Sequence, residues 1–160
     1  MLTVADLPVQ ALQELLKSYS LEVKTVPNSE SIPGSFWGDS EAGLIENVLY
    51  VRPETPVHSA LHEACHYICL DSARRNNLNT DAGGDYDEEN AVCYLQILLG
   101  AKLSGCSADI LMKNMDSWGY TFRLGSAYNW FHKDAEDAQQ WLLKEQLIDQ
   151  YDSPTGQLRT

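Results

Sequence analysis

One segment constrains this chain more than any other: Thr55-Pro56-Val57-His58-Ser59-Ala60-Leu61-His62-Glu63-Ala64-Cys65-His66-Tyr67-Ile68. It contains His-Glu-x-x-His and carries its own helix start. Thr55 is a good N-cap, and Pro56 suits the first helical position. On that helix His62 and His66 stand one turn apart on one face, with about 5–6 Å between their Cβ atoms. Two imidazoles so placed can converge on one zinc ion at about 2.0–2.1 Å each. Glu63 lies about 100° round the helix from His62. That suits it to reach a water at the metal rather than to be a ligand itself. The pattern therefore predicts two ligands, His62 and His66, and one general base, Glu63, as in a zinc hydrolase. Leu61, Cys65 and Ile68 are predicted to face the core on the other side. His58, one turn before His62, sits where a polar side chain commonly has a local capping role, and that role is preferred to ligation.

A catalytic zinc site takes three protein ligands and keeps one position for water. No third His follows His66 at short spacing, so the carboxylates opening the next helix, 87–99, are the candidates. Glu88 shares a face with Ala91, Val92, Leu95 and Leu99, the apolar stripe. Glu89 shares the more polar face of Cys93 and Gln96. The facing argument prefers Glu88 as third ligand, with Glu89 as the alternative. Asp85 or Asp87 is expected to cap this helix.

His62-Glu63-Ala64-Cys65-His66 followed by Glu88-Glu89-Asn90-Ala91-Val92 resembles the gluzincin metallopeptidases, in which His-Glu-x-x-His is followed by a helix bearing Glu-x-x-Ala-Asp/Asn. The compact ImmA/IrrE-type peptidases are the nearest in pattern. Tyr94 and Leu98-Leu99 match the aromatic residue and Leu pair of their second helix, and Val48-Leu49-Tyr50-Val51 matches the strand leading into their metal helix. The resemblance covers residues 44–100. Val92 stands where the family carries Asp or Asn, so a hydrogen bond to a zinc-bound His has to come from another residue. Gly100-Ala101 replaces Met-Pro. The resemblance implies a minimal zincin-like fold, a Zn²⁺ cofactor and a peptide or protein substrate.

The rest of the chain is compatible with that fold. A helix is expected over 6–18, a strand over 21–26, a short strand at 35–38, and strands at 44–46 and 48–51. A polar, turn-rich connection spans 72–86. Further helices are expected at 107–115 with Ser107 as cap, at 126–131 and at 134–149. The order predicts an α+β fold in which a small antiparallel sheet packs on helices. At 160 residues it reads as a single domain over 1–150, with 151–160 as a loose tail.

Composition narrows the function classes. The net charge of −12, with only 11 scattered basic residues, argues against direct nucleic-acid binding. No run of 18 apolar residues suggests a membrane span, and no secretory signal opens the chain. The four cysteines, Cys65, Cys69, Cys93 and Cys106, lie in apolar helical surroundings, which predicts a reduced, cytoplasmic protein with thiols packed as small hydrophobes. Tyr120, Tyr128 and His132 are candidate donors to a negatively charged intermediate, although packing among Trp118, Trp130 and Phe131 is the commoner use of such residues. The expected function is zinc-dependent peptide hydrolysis. The alternative is a metallopeptidase-like regulatory or interaction module that binds a partner protein with little or no turnover.

Overall fold

Pro56 sets the entry to the His-Glu-x-x-His helix. The computed structural model describes residues 1–35, 41–78 and 82–160. In it, helix α2 runs Val57–Cys69 with Pro56 as its N-cap, at φ −59° and ψ 137°. The start is one residue later than expected, because an extended ψ at Pro56 keeps it outside the helix. The Thr55 hydroxyl instead accepts a bond from Arg52 N at 2.8 Å and closes the turn before it. Leu61, Cys65 and Ile68 are fully buried, as predicted for the core side of this helix.

Three strands lead to α2: β1 (Glu22–Thr25), β2 (Gly43–Ile45) and β3 (Val48–Val51). Their order is β1-β3-β2. β2 and β3 form an antiparallel hairpin, turned at Glu46 with φ 52°. β1 pairs with β3 in parallel, in the register Glu22 to Val48 and Thr25 to Val51. The sheet is therefore mixed, not antiparallel as expected. The chain between β1 and β3, 26–47, which includes β2, provides the dozen or more residues that a parallel crossover needs. The strand expected at 35–38 falls largely on residues outside those described. Ala42 N donates to Ser59 Oγ at 2.9 Å, which ties the start of the hairpin to α2.

The remaining helices surround α2. The first helical region is broken where one helix was expected: a 3₁₀ turn at Val4–Asp6, then α1 (Ala11–Leu16) and a 3₁₀ turn at Lys17–Tyr19. Pro8 and the left-handed Gln10 (φ 68°) interrupt it. The polar connection contains a short helix, α3 (Ser72–Asn76), capped by the Asp71 side chain. Helix α4 (Tyr86–Lys102) is capped by Asp85, whose carboxylate accepts from Glu88 N. α5 (Ala108–Trp118) and α6 (Ala127–Lys133) are capped by Ser107 and Ser126. α7 (Glu136–Lys144) stops well before 149, and Gln146 beyond it is left-handed. α4 is the central element, packed against α2, α5 and α7. The cysteines are free thiols, and Cys65, Cys69 and Cys93 are buried. No helix among the described residues is long and apolar enough to cross a membrane.

The final ten residues are not the loose tail expected from their composition. Thr155 N donates to Leu147 O at 3.0 Å and Arg159 N to Ile68 O at 3.1 Å. The Arg159 guanidinium lies over the Trp141 ring, 4.8 Å from its centroid, and donates to Cys69 O at 3.2 Å. Unused backbone carbonyls at the end of α2 and the carboxylates of α4 and of Glu145 thus give the tail polar partners.

Candidate metal centre

Three donor side chains meet where α2 crosses α4. His62 Nε2 and His66 Nε2 are 3.1 Å apart. Glu89 spans them, with Oε1 3.1 Å from His62 Nε2 and Oε2 3.2 Å from His66 Nε2. Donors on a tetrahedron around an ion at about 2.0–2.1 Å stand about 3.3–3.4 Å apart. The observed separations are close to that figure, and two imidazoles plus one carboxylate is a donor set used by catalytic zinc. His62, His66 and Glu89 thus form a group that could hold a metal ion.

Glu88, preferred on sequence as third ligand, does not join this group. It points away to Arg74, whose Nη1 donates to Oε2 at 3.1 Å and whose Nη2 pairs with Oε1, and to Arg159 Nη1 at 3.0 Å. The preference for Glu88 is overturned for a physical reason. α4 is buried on most sides, including Ala91, Val92, Cys93, Tyr94, Leu95, Gln96, Ile97 and Leu99. Its apolar stripe therefore does not identify the side that meets the histidines. Glu89, Cys93 and Gln96 occupy that side. Close approach is also prepared at Gly84 (φ +109°), where a Cβ would run into the Glu88 carboxylate.

The partner that Val92 cannot supply comes from Gln96. Its Nε2 donates to His58 O at 2.8 Å, which fixes the amide orientation and leaves Oε1 facing His62 Nδ1 at 2.9 Å. An acceptor there requires His62 to carry its proton on Nδ1. The Nε2 lone pair is then directed at the cluster, as a metal ligand requires. In the sequence Gln96 is marked only by sharing the face of Glu89. Its spacing of seven residues from Glu89, two turns, was the available signal.

The same amide touches Tyr120, whose Oη is 3.3 Å from Gln96 Nε2 and 3.2 Å from His58 Nδ1. The ring stands edge-on to His62 at 5.7 Å between centroids. His58 is 1% exposed, and its Nε2 is buried with no partner among the described residues. An unpaired buried donor is rarer than an under-used acceptor, so the geometry favours the His58 proton on Nδ1, aimed at Tyr120 Oη. Tyr120 then accepts twice and has its own hydrogen left to donate. The other candidate donors lie apart from this network: Tyr128 is exposed, and its ring packs on His132 at 4.3 Å.

Electrostatics favour positive charge at the cluster. Burial opposes an imidazolium at His62, yet Tyr120, Cys93 and Glu89 push its pKa well above the ordinary value. Burial would likewise raise the Glu89 carboxyl, but the bond to His62 and the charges of His62 and His66 hold it below the usual carboxylate range. Burial, with His62 nearby, pulls His58 down to about 4, so it is neutral at pH 7. Burial raises the Tyr120 hydroxyl; His62 and Gln96 pull it back, while Cys93 and Glu63 add to the rise. Tyr120 therefore stays protonated near neutrality. Glu63, half-buried on α2, is close enough for its charge to act on Tyr120.

Comparison with protein-family models, with curated proteins and with solved structures returns no match to this chain.

Proposed function

We propose that this protein is a zinc-dependent metallopeptidase, in which His62, His66 and Glu89 hold the ion and Glu63 is the general base. The observation that carries the reading is the convergence of the His62 and His66 Nε2 atoms of α2, the helix that also bears Glu63, with the Glu89 carboxylate of α4, each imidazole lying 3.1–3.2 Å from one of its oxygens. When bound, zinc supplies Lewis-acid chemistry, polarising a carbonyl and bringing the acidity of water towards neutrality. Glu63 takes the proton from the attacking water and passes it to the leaving amine. Gln96 holds His62 in the ligating tautomer. Tyr120 donates its remaining hydrogen to the carbonyl oxygen as negative charge develops there. The fold in this reading is a minimal zincin-like one, with α2 as the active-site helix and α4 as the helix of the third ligand.

Glu63→Gln separates binding from chemistry. It removes the base but keeps the shape and the ligands. Zinc content should equal that of the wild-type protein, while cleavage of a random peptide mixture, followed by mass spectrometry, should fall by at least about 10²-fold. Cleavage at the wild-type rate by the variant would end the mechanism.

A further inference from the structure

A cavity of about 210 Å³ adjoins the cluster, with Glu89 in its wall. Cys93, Tyr120, Phe122 and Trp130 supply its apolar surface. Cys93 and Trp130 are buried at 7% and 5% exposure, so this surface is set into the protein. The aromatic walls are mutually braced. Tyr120 and Phe122 stack at 6.1 Å with planes 10° apart, and Phe122 and Trp130 at 5.0 Å with planes 29° apart. Two charged groups stand in the lining, and the Arg123 side chain is 74% exposed, at the solvent side. Glu89 faces the two imidazoles, and Arg123 Nε pairs with Asp134 Oδ2 at 3.0 Å. Tyr86, also in the lining, is 72% exposed, which puts an aromatic face at the solvent side.

The buried inner wall, Cys93 and Trp130, is apolar and selects against charged groups, because these lose hydration there and gain no partner. An apolar cavity of about 150 Å³ is enough to hold benzene. The volume here suits a benzyl or branched aliphatic group, and the aromatic walls offer it stacked or edge-on contacts. We infer that this cavity is the specificity subsite of the protein, taking the uncharged apolar or aromatic side chain of the residue beside the scissile peptide bond. The inference rests on the metallopeptidase reading, since it is the continuity with Glu89 and Tyr120 that places a substrate side chain there.

The test uses amino-acid hydroxamates, which share one chelating head and differ only in the side chain. Binding of the glycine, leucine, phenylalanine, lysine and glutamate hydroxamates to the zinc-loaded full chain is measured by calorimetry. The leucine and phenylalanine compounds should bind at least about tenfold tighter than the glycine one, as expected for burying an apolar side chain. The lysine and glutamate compounds should show no such gain. Thr121→Trp, which fills the cavity from an exposed part of its lining, should bring the phenylalanine-to-glycine ratio towards one. Equal affinities across the series, a preference for lysine or glutamate, or a ratio unmoved by Thr121→Trp would overturn the subsite while leaving the metal centre standing. A chain that takes up no zinc, or zinc-loaded protein that binds no hydroxamate, would overturn the reading beneath it, and the subsite with it.

Discussion

Glu88 and Glu89 are neighbours on one helix and face opposite environments. The Glu88 side chain is 6% exposed and is held by Arg74 and Arg159. The Glu89 side chain is 49% exposed and meets two imidazoles. The more buried carboxylate is the structural one, and the more open one is the candidate ligand. A carboxylate deep in a protein needs full compensation, and two guanidiniums from α3 and the C-terminal segment give it. A catalytic ligand has to sit at the edge of a cleft that substrate can enter, so partial exposure is part of its task. Burial alone is therefore a poor guide to which carboxylate of an adjacent pair binds metal.

The largest expected effect breaks the pair on the Glu89 side. Glu89→Ala removes one of three donors. Loss of an orienting outer partner costs about 10–100-fold in metal affinity, so loss of a donor should exceed about 100-fold. Competition against a chromophoric chelator measures this directly. Thermal unfolding of the metal-free protein should show a smaller loss than Glu88→Ala, because only the partly exposed bonds of Glu89 to His62 and His66 go with it. Retention of wild-type zinc affinity would remove Glu89 from the site.

Glu88→Ala should do the reverse. It removes the carboxylate shared by Arg74 and Arg159 and leaves them only Asp71 and Glu145 as counter-charges. Breaking a buried pair costs about 3–5 kcal/mol, and the lower end applies because Arg74 and Arg159 are 33% and 22% exposed. Urea unfolding should show that loss, while zinc stoichiometry at low temperature stays as in the wild type. Zinc lost with stability retained would exchange the roles of the two residues.

Structure set by neighbouring residues is legible in this sequence, and structure set by distant ones is not. The His-Glu-x-x-His helix, the hairpin strands, and the caps at Ser107 and Asp85 follow from residue types acting on their near neighbours. The parallel pairing of β1 depends on where a long connection delivers the chain, which no short window encodes. α3 was legible in principle, since Asp71 three residues before Arg74 is an N-cap arrangement. The docking of the tail was not, because Arg159 finds carbonyls of Ile68 and Cys69 some ninety residues earlier. At the site, His62, Glu63 and His66 were set by spacing along one helix. The third donor depended on how α4 is rotated against α2, and a helix apolar on most sides leaves that rotation undetermined.

Gln96, two turns along α4 from Glu89, is a third case on the same helix. It is fully buried, like Glu88, but it serves the cluster. What two guanidiniums do for Glu88, one amide does for His62: it fixes the orientation and the state of the group beside it. Gln96→Leu keeps the bulk and removes the acceptor from His62 Nδ1. The Nδ1–H tautomer then has an unpaired buried donor, and the ring gains by moving its proton to Nε2, where it competes with a metal ion for the same lone pair. Metal affinity should fall by about 10–100-fold, less than for Glu89→Ala. The separating measurement is the pH dependence of zinc binding together with the His62 ring ¹⁵N shifts. A variant with weaker binding but the proton still on Nδ1 would show that Gln96 acts through packing alone, not by holding the tautomer.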